Sequence, residues 1–217
     1  MGLCKSKSEK VDPGVMTKGF FDLEENCVDG IAFPFSNLKN DKNKAFLIVN
    51  VATYWYYTKK NYLQLKDLCD KYDDKGLKVM LFPCNQFMKQ ESDANLEIKK
   101  WILTRYPTNF MIFEKIDVNG KKASEVFEWL RYNSSKKDDK GLCKKISWNF
   151  EKFLVDKNGN VFQNYGTGEI PIDCEADIME LLELKDADLN TPKIDKPTFS
   201  SESDLKQNLI EKSTQYI

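Results

Sequence analysis

The stretch AFLIVNVATYWYYT, residues 45–58, begins as a continuous apolar run and then turns polar and aromatic. Ile48, Val49 and Val51 in that run predict a buried strand. Further on, Tyr62, Leu65, Leu68, Cys69 and Tyr72 recur every three or four residues, while Asp67, Asp70 and Asp73 fall off that face. This spacing predicts an amphipathic helix, ended by Gly76. The turn from such a strand into such a helix is where many α/β enzymes hold a nucleophile. Here it carries Tyr54, Trp55, Tyr56 and Tyr57, none of which can attack a substrate.

Working outward, LKVMLF (77–82) predicts a second strand, and Ser92 is the expected cap of a helix carrying Leu96, Ile98, Trp101 and Ile102. VNGK (118–121) predicts a turn, Ala123, Val126, Phe127 and Leu130 a helix, and SSKKDDKG (134–141) a solvated loop. FEKFLVDKNGNVFQNY predicts two strands around the turn at 156–159, followed by a helix with Ile178, Leu181 and Leu182. Two strands joined by a helix pair in parallel, and the later hairpin adds antiparallel strands. The expected class is α/β, a central mixed β-sheet flanked by helices. Residues 1–17 and 186–217 are polar and read as flexible extensions around a domain at 18–185.

The chain has 217 residues with 41% hydrophobic and 31% charged, and a formal net charge of -1. This balance predicts no strong steering towards nucleic acid. There is no histidine, which removes the usual neutral-pH general base and the commonest metal ligand. Cys4, Cys27, Cys69, Cys84, Cys143 and Cys174 include no C-x-x-C pair, so neither a zinc ribbon nor a dithiol motif is expected. No apolar run reaches the roughly 20 residues of a membrane span. A reducing compartment with free thiols is the expectation, with no metal and no cofactor.

Three patches carry candidate chemistry: NVATYWYYT (50–58), FPCNQFMKQE (82–91) and WNFEKFLVDKNG (148–159). Gln86, Trp148 and Asn149 offer side-chain N–H donors, and donors that converge stabilise a thiolate or oxyanion. The plain alternatives are core packing for Trp148 and Phe150, and turn chemistry for Asn85 and Gln86.

These patches, with IDVNGK (116–121), resemble in order the glutathione peroxidase family over residues 18–185. The resemblance implies a thioredoxin-like fold and reduction of hydroperoxides through a cysteine or selenocysteine, with glutathione or thioredoxin as reductant. The family's site residues then fall on Gln86, Trp148 and Asn149. The peroxidatic residue, two places after the residue that closes NVAT, falls on Trp55, and the glycine after it on Tyr56. The resolving cysteine of thioredoxin-using members falls on Leu103, in LTRY. Cys84, inside FPCNQF, is a substitute nucleophile or an ordinary buried cysteine.

MGLCKS at the start fits N-myristoylation at Gly2, with Cys4 placed for palmitoylation and Lys5, Lys7 and Lys10 for anionic lipid. The expectation is a catalytically inactive binding or scaffold module on the cytosolic face of a membrane. The alternatives are a weak thiol-dependent hydroperoxide reductase acting through Cys84, and a redox sensor. The short loop at 134–147 resembles family members that lack a tetramer insertion, so a monomer is expected. An unknown protein partner is expected, and no nucleic acid.

Overall fold

In the computed structural model, which describes residues 8–139 and 141–185, the described residues form nine strands and four α-helices. They are β1 (Ser8–Glu9), β2 (Glu24–Asn26), β3 (Ala32–Pro34), β4 (Ala45–Val51), α1 (Thr58–Tyr72), β5 (Leu77–Pro83), α2 (Asn95–Arg105), β6 (Met111–Ile112), α3 (Glu125–Asn133), β7 (Cys143–Lys144), β8 (Lys152–Asp156), β9 (Val161–Tyr165) and α4 (Glu175–Leu181). One unit ends at Glu183; of a second, from Leu184 onward, Leu184 and Lys185 are described.

The apolar run is β4, the middle strand of a five-stranded sheet ordered β6-β5-β4-β8-β9. Its seven residues are all buried, as a strand covered on both faces requires. β4 pairs in parallel with β5, from Ala45 opposite Leu77 to Val51 opposite Pro83. On its other side it pairs antiparallel with β8, which pairs antiparallel with β9. The predicted mixed sheet is therefore observed. The parallel edge strand β6 is too short to leave a sequence signal.

Packing follows the alternation along the strands. Phe46, Ile48, Met80 and Phe82 join Phe20, Phe35, Phe113, Phe127 and Phe153 in one cluster. Phe82 and Phe113 stack at 4.4 Å with ring planes 1° apart. α1 buries Tyr62, Leu65, Leu68, Cys69 and Tyr72, the face its spacing predicts. Gly76 ends that segment at φ 111, and a Cβ there would meet the Lys42 carbonyl oxygen at 2.5 Å.

Two expectations need correction. From Ser8 onward, residues expected in a flexible extension are held: β1 pairs with β7, and Val11 and Val15 are buried in the core. The polar spacing hid this because the anchoring is ionic. Glu9 meets the buried Arg131 guanidinium, Lys145 Nζ at 2.8 Å and Gly120 N at 3.1 Å. α2 begins at Asn95 with Ala94 at its N-cap and no side-chain cap, so Ser92 does not serve. Asn95 instead accepts the Lys115 backbone N–H at 3.0 Å, which sets where the helix starts. Residues 1–7 and 186–217, including Gly2 and Cys4, lie outside the described residues.

Candidate active site

The β4–α1 turn is fastened from two sides. Asn50, at the end of β4, donates from Nδ2 to the Trp148 carbonyl at 3.0 Å and accepts the Glu151 N–H at 2.9 Å. Its backbone oxygen accepts the Phe150 N–H at 2.7 Å. This clamp explains how two patches a hundred residues apart meet. Phe150 is held at φ 59, a strained conformation for a non-glycine residue, with its carbonyl accepting from the buried Lys152 ammonium at 2.6 Å.

On the other side, the loop after β5 folds over the turn. Cys84 N donates to the Val51 carbonyl at 3.0 Å, Tyr54 N to the Gln90 carbonyl at 3.0 Å, and Thr53 N to the Glu91 carboxylate. Met88 and Lys89 take φ of 52 and 55 at the loop tip. Thr58, the first residue of α1, closes the turn by donating to the Ala52 carbonyl at 2.6 Å and accepting the Trp55 N–H at 3.2 Å.

Trp55 is half-buried in this frame. It stacks on Phe150 at 5.7 Å and meets Tyr57 edge-on at 5.2 Å. Asn149 is fully buried and donates from Nδ2 to Gln90 Oε1 at 2.8 Å. The half-buried Trp148 ring packs on Phe87 at 5.6 Å. Gln86 departs from its expected role. It is exposed, its Oε1 accepts the N–H groups of Val118 and Asn119 at 2.9 and 3.0 Å, and its Nε2 donates to the Asn119 carbonyl at 2.8 Å. Gln86 therefore clamps the VNGK turn, and Gln90 is the amide beside Asn149. Sequence reasoning missed Gln90; the available signal was that it precedes Glu91, the one acid in that motif.

Cys84 is fully buried, with its Sγ 3.9 Å from Gln86 Oε1. Burial pushes its thiol up to about 11, only partly offset by the N–H groups of Gln86 and Val118. Burial raises Cys27 and Cys69 to about 11 as well, and Cys174 to about 12. Leu103, half-buried on α2, carries no thiol.

Glu91 is fully buried, and burial pushes its carboxyl up to about 7. The Thr53 hydroxyl and N–H and the Lys115 charge pull the other way, while Asp93 adds to the rise. The folded state therefore holds this proton more tightly than the unfolded chain. Stability contributed at Glu91 is present at low pH and is lost as pH rises from about 4.5 to about 7. Thermal melts from pH 4.5 to 8 should show the native protein losing on the order of 3 kcal/mol more than a Glu91→Gln variant. Parallel pH profiles for the two proteins would contradict this.

The comparisons with known proteins bear on this frame. The family model described as glutathione peroxidase matches residues 20–131. The chain belongs to the glutathione peroxidase family. It is 46% identical over 143 residues to a probable phospholipid hydroperoxide glutathione peroxidase of Citrus sinensis, covering 65% of this chain and 83% of that protein. It is 42% identical over 169 residues to glutathione peroxidase-like peroxiredoxin 2 of Saccharomyces cerevisiae, covering 77% and 99%. Among solved structures, T. cruzi GPX1 superposes with a TM-score of 0.59 at 31% identity, over 76% of this chain and 97% of that one. Trgpx in its apo form gives 0.59 at 26%, over 77% and 97%. The fold is accordingly thioredoxin-like, as the resemblance implied.

Proposed function

We propose that this glutathione peroxidase family member keeps the family's site frame and lacks its nucleophile, with Trp55 at the peroxidatic position and Leu103 at the resolving one. One observation carries the reading. The β4–α1 turn holds aromatic rings in place of a thiol, and the thiol in the adjoining loop, Cys84, is fully buried with its pKa raised to about 11. Attack on an O–O bond needs a thiolate, and at neutral pH such a thiol is about one part in ten thousand ionised. On this reading Gln90 and Asn149 form a polar cluster that binds without turning over.

A second reading is favoured by the relatives' names, a phospholipid hydroperoxide glutathione peroxidase and a peroxiredoxin: a thiol-dependent lipid hydroperoxide reductase. On that reading Cys84 is the thiol, with weak activity, and glutathione or thioredoxin the reductant. Those names speak for hydroperoxide reduction, and none of them speaks for a scaffold. Membrane attachment through Gly2 and Cys4, with a protein partner there, rests on the MGLCKS pattern alone. No helix among the described residues is long and apolar enough to cross a membrane.

One assay separates the readings. Purified protein is given hydrogen peroxide and a lipid hydroperoxide, with glutathione and with thioredoxin, beside a Cys84→Ser variant. The expected result is no turnover above background in either protein. Turnover in the native chain that Cys84→Ser abolishes would establish the second reading in its place.

A further inference from the structure

The β4–α1 turn presents side chains to solvent as well as framing a site. Tyr56 is 88% exposed, and Tyr54 and Tyr57 are each more than half exposed. Tyr56 meets Tyr57 edge-on at 4.8 Å, and Tyr57 meets Trp55 at 5.2 Å, so these rings are continuous. The loop after β5 extends them. Tyr54 N donates to the Gln90 carbonyl at 3.0 Å, and Gln90 N closes a turn onto the Phe87 carbonyl at 3.2 Å. The two residues inside that turn, Met88 and Lys89, have φ of 52 and 55, and Met88 is 76% exposed. A turn with both central φ positive favours asparagine and glycine, so a thioether and an ammonium are held outward here at a cost in backbone strain.

Positive charge frames the rings. Lys59 and Lys60, in the first turn of α1, and Lys89 are all exposed. None of the three pairs with a carboxylate among the described residues. Residues 53–66 and 84–90 contain no aspartate or glutamate. Glu91 follows them but is fully buried, and Asp93 at the edge accepts the Tyr54 hydroxyl at 2.5 Å. The whole chain has a net charge of -1, so the positive face is local. Contiguous exposed apolar groups mark an interaction surface. Interfaces between proteins enrich tyrosine, tryptophan and methionine but deplete lysine. Rings with a polar edge beside long-stemmed lysines suit instead the boundary of a bilayer, where the ring bodies leave water and the ammonium groups stay at the headgroups.

We propose that this face docks on an anionic bilayer surface. Tyr56, Tyr57 and Met88 enter the headgroup region, and Lys59, Lys60 and Lys89 meet its negative charge. The folded domain makes this contact by itself, so it needs neither an acyl chain at Gly2 nor turnover at Cys84. Docking sets the β4–α1 turn, with Trp55 at its centre, against the lipid.

The test uses the full-length protein made in bacteria, where Gly2 is not acylated, and phosphatidylcholine vesicles with and without phosphatidylserine. Co-sedimentation reads binding, and brominated acyl chains read proximity by quenching tryptophan fluorescence. The native protein should sediment with the phosphatidylserine vesicles, release in high salt, and show quenching that a Trp55→Phe variant largely loses. Lys59→Ala, Lys60→Ala and Lys89→Ala together should weaken binding about a hundredfold, at roughly fivefold per lysine. Tyr56→Ser with Tyr57→Ser should weaken it about tenfold. These side chains are exposed, so melting curves should stay native. Phe162→Ser, which removes an exposed ring on β9, should leave binding unchanged. Failure of the native protein to sediment with either vesicle would overturn the proposal and leave the face to a protein partner. So would binding that survives both sets of substitutions, or binding that vanishes when Lys5, Lys7 and Lys10 alone are replaced, since the tail would then carry it.

Discussion

Replacing Trp55 with cysteine should give this protein a hydroperoxide-dependent turnover about a thousandfold above assay background, where the native chain shows none. The reasoning starts from what surrounds the position. Residue 55 sits three places before the first residue of α1, and its N–H is already held by Thr58 Oγ1. A thiol at a helix N-terminus is acidified by the unpaired N–H groups and the positive end of the helix dipole. Tyr56 and Tyr57 leave that entrance solvent-accessible, at 88% and 51% exposure. A thiol acidified there would be ionised to a far larger fraction than the buried Cys84, and attack on an O–O bond needs the thiolate. Gln90 and Asn149, already joined at 2.8 Å, supply nearby polar groups for the leaving oxygen. Steady-state assays with glutathione and with thioredoxin would measure the gain, with melting curves to confirm folding. A folded Trp55→Cys protein with no turnover would mean that the frame itself has diverged, and Tyr56 would be the next position to revert to glycine.

The second large effect is one of stability. Glu9→Ala should destabilise the domain by about 3–5 kcal/mol, because it strands the Arg131 guanidinium without its carboxylate. The Arg131 side chain is 1% exposed, its Nε donates to the Phe127 carbonyl at 3.3 Å, and its Nη2 lacks a partner among the described residues. Burial by itself raises the Glu9 carboxyl, but the bonds from Lys145 and Gly120 N and the Arg131 charge outweigh it and hold the pKa below the usual value. A carboxyl lowered in the folded state contributes stability above its unfolded pKa and loses it as pH falls through the folded one. The native protein should therefore approach the variant's stability in acid. At neutral pH the variant should melt on the order of 10 °C lower. Pairing Glu9→Ala with Arg131→Met should recover much of the loss, since an apolar side chain of similar length needs no counter-charge. If the double variant melts as low as the single one, the loss comes from the β1–β7 pairing and not from the buried charge.

The strands and helices that carry apolar periodicity were legible from residues alone: β4 from its unbroken run, α1 from its three-and-four spacing, the hairpin from the turn at 156–159. What was hidden is what polar side chains hold together. β1 is two residues long and is fixed by Glu9, whose partner lies 122 positions away. Gln86 and Gln90 sit four residues apart in one motif, and only the folded loop shows that the first turns to Asn119 while the second turns to Asn149. No apolar periodicity marks Glu91, yet the structure buries it at the back of the turn with no solvent exposure. Periodicity reports which residues leave water; it does not report which polar atoms find one another once they have done so.

The Asn50 clamp has a consequence for how such a protein can change over time. Every contact it makes to residues 148–151 ends on main-chain atoms, and the Thr58 contacts to Ala52 and Trp55 do likewise on the other flank. A frame knitted from backbone groups is indifferent to which side chain occupies its centre. A lineage can therefore exchange the group at residue 55 in a single step, retiring one chemistry or admitting another, while the walls around it keep their shape.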